Sequence, residues 1–227
     1  MNEKPAAPPK PAAFSLEILK IRECTFSFRS FFGKPRSLAS IQIPEIANAF
    51  LDTFREYNLS AADIVLEKGD GLFGYSLKAH LFNRLLSINV SAIAVESTFG
   101  RLLGAADRRL AADCIKKLVA LFRDGLSEYC FFEAALHADF ESSNEKDEFF
   151  SLNAEGGLDL GGVLAYKKLG EEQLIRVEID QSWTLPNGAF IDFRAIGMKL
   201  EQFLSFDPIW GKFFELTEGF DLQLEDA

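Results

Sequence analysis

Phe73, Tyr75, Leu77, Ala79 and Leu81 are apolar, and Ser76, Lys78 and His80 between them are polar. A period of two marks a strand with one buried face. Asn83-Arg84 then supplies a two-residue turn, and a second run begins at Leu85. With Phe82 opposite Leu85, Leu81 faces Leu86, Ala79 faces Ile88, Leu77 faces Val90 and Tyr75 faces Ala92. The other side pairs His80 with Ser87, Lys78 with Asn89 and Ser76 with Ser91. A slip of one residue would turn every apolar side chain to water. No other segment constrains the fold as much: it requires antiparallel sheet with one oily face. Past Ala92 the apolar set shifts to Ile93 and Val95, which implies a bulge or a strand bend.

The same pattern recurs along the chain. Cys24, Phe26 and Phe28 alternate with Thr25, Ser27 and Arg29 within a strand region from Phe14 to Phe32. Ile64-Val65-Leu66 reads as a short strand, followed by the turn signal Glu67-Lys68-Gly69-Asp70-Gly71. Tyr129 to Glu141 reads as a long strand, with Cys130, Phe132, Ala134 and Leu136 on one side. Ser142 to Glu148 reads as an exposed acidic loop. Leu158–Tyr166 and Gln173–Trp183 read as two strands, and a third follows the turn at Pro186-Asn187-Gly188. With one extra residue at that turn, Trp183 faces Ile191, Ile179 faces Ala195 and Asp180 meets Arg194.

Helices show the other period. Ile46, Phe50 and Phe54 line one face of a helix that starts near Pro44 and ends near Tyr57-Asn58. Leu110, Cys114, Leu118 and Leu121 form a stripe from about Arg108 to Phe122, with Asp107 as cap and Gly125 as stop. Two terminal helices are expected. One covers roughly Gly197 to Leu204, and the other has Asp207 as cap and Pro208 in its first turn.

The order is β-α-β-β-β-α, then β-β-β-β-α-α. Alternating strands argue for an α+β class of mostly antiparallel sheet, in two similar halves, each with a helix covering one face. The halves are residues 14–125 and 128–220, which can merge into one sheet. Residues 1–13 read as a Pro/Ala-rich tail and 221–227 as an acidic tail. The first residues, MNEKPAAPPKPAA, hold no apolar signal core, so no secretory leader is expected there.

Charge and cysteine content weaken several functions. The net charge is −10, which disfavours binding to a phosphate backbone or an anionic membrane. The charge is uneven. Residues 1–40 carry 7 basic and 3 acidic residues, and residues 138–227 carry 7 and 19. No apolar run reaches the about 18 residues that a membrane helix needs. Cys24, Cys114 and Cys130 make an odd set without CxxC, as expected for free thiols in a reducing cytoplasm.

Chemistry-bearing motifs are sparse. His137, Asp139 and Glu141 recur at every second residue of one strand, with Glu133 on the same side, about 7 Å apart stepwise. They form a weak surface patch, too spread for a compact metal site. Cys130 and His137 have opposite parity, so they cannot act as nucleophile and base. GxSxG and the phosphate-loop pattern are absent, and Gly69-Asp70-Gly71-Leu72-Phe73-Gly74 precedes a strand. Glu178 and Asp180 share a face, but an ion pair with Arg194 accounts for them. No cofactor, metal or catalytic residue is expected.

Phenylalanine occurs 23 times. In a strand, Phe31-Phe32, Phe131-Phe132, Phe149-Phe150 and Phe213-Phe214 would each aim one ring away from a single core. A partner would then cover it. The leading expectation is a non-enzymatic interaction or scaffold protein, acting through sheet faces or edges on a protein partner or on itself. The alternatives are a small-molecule-binding or catalytic α+β domain, and an acidic inhibitor of a nucleic-acid-handling protein.

Overall fold

A computed structural model describes residues 17–35, 43–68, 75–100, 105–152, 162–203 and 206–226. The first expected tail, the Gly69–Gly74 stretch and the start of the strand at Leu158 lie outside the described residues.

The chain is α+β and is organised by one large, mostly antiparallel sheet. Its strands are β1 (Glu17–Phe32), β2 (Ile64–Lys68), β3 (Tyr75–Leu81), β4 (Leu86–Val90), β5 (Ala94–Phe99), β6 (Leu126–Asp139), β7 (Val163–Lys168), β8 (Leu174–Gln181), β9 (Gly188–Lys199) and β10 (Leu222–Asp226). The order across the sheet is β2-β3-β4-β5-β1-β6-β9-β8-β7. The helices are α1 (Ile43–Thr53), α2 (Ala105–Phe122), α3 (Ser143–Leu152), α4 (Leu200–Phe203) and α5 (Phe206–Glu218).

The β3–β4 hairpin has the expected register from Leu77↔Val90 to Leu81↔Leu86. Asn83 and Arg84 both have positive φ, 54° and 70°, which is the turn whose twist matches that of the flanking strands.

Parity then fixes the core. Phe26, Phe28, Ile88, Phe132, Leu136, Ile191, Phe193 and Val177 are all buried on one face of the sheet. Buried residues of α1, α2, α3 and α5 join the same cluster, among them Phe50, Leu118, Phe150 and Phe213. Phe213 lies over Phe193 and Phe132, with ring centroids 4.4 and 5.7 Å away. Phe122 reaches Phe32 and Phe50. Each buried phenylalanine contributes about 1.5–3 kcal/mol by leaving water, so this face holds most of the stabilising apolar area.

Several expectations need correction. Past Ala92 the chain does not bend. It turns at Ser91–Ile93 and returns as β5, pairing Val90 with Val95. Ser91 Oγ accepts the Ala94 N–H and organises that turn. The acidic stretch after Glu141 is helix α3, because Ser142 and Glu145 form a reciprocal capping box. The Ser142 N–H reaches Glu145 at 3.0 Å and the Glu145 N–H reaches Ser142 Oγ at 3.3 Å. Helix α2 begins at Ala105, so Asp107 sits in its first turn. Strand β9 runs on to Lys199, leaving α4 only four residues. Gly197 permits this with φ +67°, where a Cβ would strike the Glu172 carbonyl.

The expected acidic tail is partly strand. β10 pairs with the first half of β1 in parallel, Glu17↔Leu222 to Ile21↔Asp226. This is the one parallel pair among the described strands. The paired phenylalanines divide by element. Phe149 and Phe150 are both buried and Phe214 packs on the core beside Phe213, since adjacent helix positions can share a broad apolar face. Only the strand pairs split, sending Phe31 and Phe131 to the other side of the sheet.

Candidate functional site

The second face of the sheet carries the alternate residues of every strand. At its centre lies a cavity of about 350 Å³, bordered by Arg29 and Phe31 of β1, Glu96 of β5, Phe131 and Glu133 of β6, and Arg194 of β9. Phe31 and Phe131 meet edge to face at 5.6 Å, and Phe131 is 38% exposed. Toward the β7 edge, Leu164 and Tyr166 are also exposed.

Charges of both signs border these rings. Arg29 Nε lies 2.5 Å from Glu96. Arg194 holds Glu133 at 3.0 Å and Asp192 at 2.8 Å. Next to it on β8, Arg176 bonds Glu178. Asp192 is 4% exposed. Burial raises its carboxyl pKa above the ordinary range, and the neighbouring Arg194 guanidinium opposes that rise. The expected Asp180–Arg194 pair does not form: Asp180 lies opposite Phe190, and Arg194 opposite Arg176. Trp183 does not face Ile191, which pairs with Ile179. The reason is the connection. Residues 182–187 form an open loop instead of a tight turn.

That loop folds over the second face and changes the setting of His137. Ser182 Oγ accepts the N–H groups of Thr184 and Leu185, at 3.2 and 3.0 Å. His137 Nδ1 lies 2.8 Å from Ser182 Oγ and 3.1 Å from Thr184 Oγ1, and the two hydroxyls are 3.2 Å apart. Trp183, 72% exposed, and Phe190 enclose the imidazole at 5.0 and 5.1 Å. His137 is therefore buried, not left wet as parity alone suggests. Burial lowers its pKa, and Glu23 across the β1–β6 pair pulls the other way. A serine beside a histidine invites a nucleophile reading. Here both acceptor positions of Ser182 Oγ are taken by backbone N–H groups, so the pair serves to hold the loop.

The other sequence candidates separate. Glu133 pairs with Arg194, Asp139 pairs with Arg22 at 2.7 Å, and Glu141 lies past the end of β6. Among the described residues no three metal-ligating side chains gather. Cys24, Cys114 and Cys130 form no disulfide and are buried. Burial pushes the thiols of Cys114 and Cys130 up to about 12, which leaves them unreactive near neutral pH. Sequence reasoning missed the loop-capped His137–Trp183–Phe190 cluster. The only signal for it was Ser182-x-Thr184 before Pro186, a side-chain turn pattern.

Among the described residues no helix is long and apolar enough to cross a membrane. The chain matches no protein-family model and no curated protein.

Proposed function

We propose that this chain is a non-enzymatic interaction protein whose second sheet face docks a protein surface, with another copy of itself as the partner. One observation carries the reading: aromatic side chains stand exposed on a face that the chain's own helical core does not cover. Nine strands spaced about 4.8 Å apart and averaging about nine residues, at about 3.3 Å per residue, give a face of roughly 1,200 Å². That is more than one partner's share of a standard interface, about 800 Å².

Self-association is supported by the mixture of charge. The face interleaves Arg29, Arg176 and Arg194 with Glu96, Glu133 and Glu178. A two-fold pairing can set each sign against its opposite. A polyanionic partner would meet as many repulsive groups as attractive ones. The reading also treats the molecule as two similar halves, residues 14–125 and 128–220, meeting at the β1–β6 pair. The strand order supports this, running β5-β4-β3 outward from β1 and β9-β8-β7 outward from β6. Three buried cysteines outside any disulfide support a reducing, cytoplasmic setting.

Sedimentation and light scattering test the proposal. The wild-type chain is expected to reach dimer mass at about micromolar concentration, and Phe131→Glu to be monomeric with an unchanged circular-dichroism spectrum. A wild-type monomer at about 100 μM, a concentration far above the Kd of a typical specific interface, sinks the self-association reading. So does a Phe131→Glu variant that remains dimeric.

A further inference from the structure

A second cavity, of about 550 Å³, lies at the turn end of the β3–β4 hairpin, and its lining is disjoint from that of the central groove. Its walls include Tyr57, Asn58, His80, Phe82, Asn83 and Arg84. Tyr57 and Phe82 meet at 5.3 Å and give it an aromatic side. The donors around it are unspent. Arg84 is exposed, with no ion pair among the described residues, and the side-chain amides of Asn58 and Asn83 have no partner there.

The one carboxylate in the lining, Asp63, is held toward Ser60 by one oxygen: Oδ2 accepts the Ser60 N–H at 3.0 Å and the Ser60 hydroxyl at 2.6 Å. The Arg84 guanidinium brings donors alone, and each asparagine amide brings two N–H donors for one acceptor oxygen, so donors outnumber acceptors in the lining and call for a ligand that brings acceptor atoms.

Backbone conformation singles out the same place. Five described residues other than glycine have positive φ, and four of them line this cavity: Asn58, Phe82, Asn83 and Arg84. The two-residue turn accounts for Asn83 and Arg84, but not for Phe82 at 52°. A bulky residue there is a genuine outlier, and such strain gathers at ligand clamps. Glycine would hold the position of Arg84 without steric cost. Arginine holds it under strain and brings a guanidinium to the cavity.

We propose that this cavity binds a small molecule with an aromatic or flat apolar body and one anionic group, phosphate or carboxylate, gripped by Arg84 and the two asparagine amides. The ring of the ligand lies against Tyr57 and Phe82.

Phenyl phosphate, phenylacetate and the cation phenethylamine, titrated in turn into the isotope-labelled full chain, test this. The expected result is saturable movement of amide signals confined to residues 57–65 and 80–85 with at least one of the two anions. Whichever anion binds identifies the headgroup. Arg84→Gly keeps the turn and its fold, and is expected to weaken binding at least tenfold. The proposal is overturned if neither anion saturates by about 10 mM, the weak end of specific recognition. It is equally overturned if phenethylamine binds as well as the anions, or if Arg84→Gly binds like wild type.

Discussion

The two faces of the sheet are made by the same strands, residue by alternate residue, yet they obey different rules. On the helix side, Phe26, Phe28, Phe132 and Phe193 are buried; Phe26 meets Phe132, and Phe132 and Phe193 stack on Phe213 of α5. On the other side, Phe31 and Phe131 meet one another beside a ring of ion pairs. The comparison teaches that neighbouring phenylalanines in one strand can carry separate duties. Phe132 holds the fold, and Phe131 is free for a partner.

Substitution is the most direct way to break this contrast. Phe193→Ala removes a buried ring from contact with Phe213 and is expected to cost about 3–5 kcal/mol, read from urea unfolding. An equal loss at Phe131 would erase the distinction between the faces. Phe131→Ala in a monomeric background is expected to cost only about 1 kcal/mol, the value of an aromatic pair at a half-open site.

The helix side also contains an exception that sharpens its rule. Ser97 is buried there, and its Oγ has no hydrogen-bond partner. Ser97→Ala is expected to raise stability by about 1 kcal/mol, because a stranded hydroxyl is removed. Unfolding midpoints would check the sign, and a destabilised variant would mean that the hydroxyl is satisfied after all.

The smallest effect belongs to the other side. His137 is held neutral, and its folded pKa lies below the ordinary histidine value because it is buried. The unfolded chain takes up a proton near pH 6.5, while the folded chain resists. Stability from this residue is complete above about pH 6.5 and falls as the pH drops through that value. Comparing wild type with His137→Gln at about pH 7.5 and 5.5 isolates the contribution. The variant should show the shallower loss, and an equal slope would show that His137 titrates freely.

Most of the strand pattern could be read in advance, because parity is local. The β3–β4 register needs only residues that lie within one hairpin of each other. Features that depend on side chains bonding to backbone were hidden. Ser142 and Glu145 turn an acidic stretch into a helix start, and hydrophilicity alone made that stretch look like a loop. Ser182 draws the chain out of the strand line, which moves Trp183 to the exposed face and shifts the pairing of β8 with β9. Hence Asp180 misses Arg194. The cavity at the hairpin turn was likewise invisible, since Tyr57 and Arg84 converge on it only through tertiary packing, with Tyr57 meeting Phe82 at 5.3 Å.

The parallel pairing of β10 with β1 also sets an order of events during synthesis. The segment around Ile18–Ile21 leaves the ribosome about 200 residues before its flanking partner. Until then one flank of that strand has no mate. Such open backbone invites pairing with neighbouring chains. Delay in translation between the two segments should therefore expose nascent molecules to aggregation, a hazard that a holding chaperone would relieve.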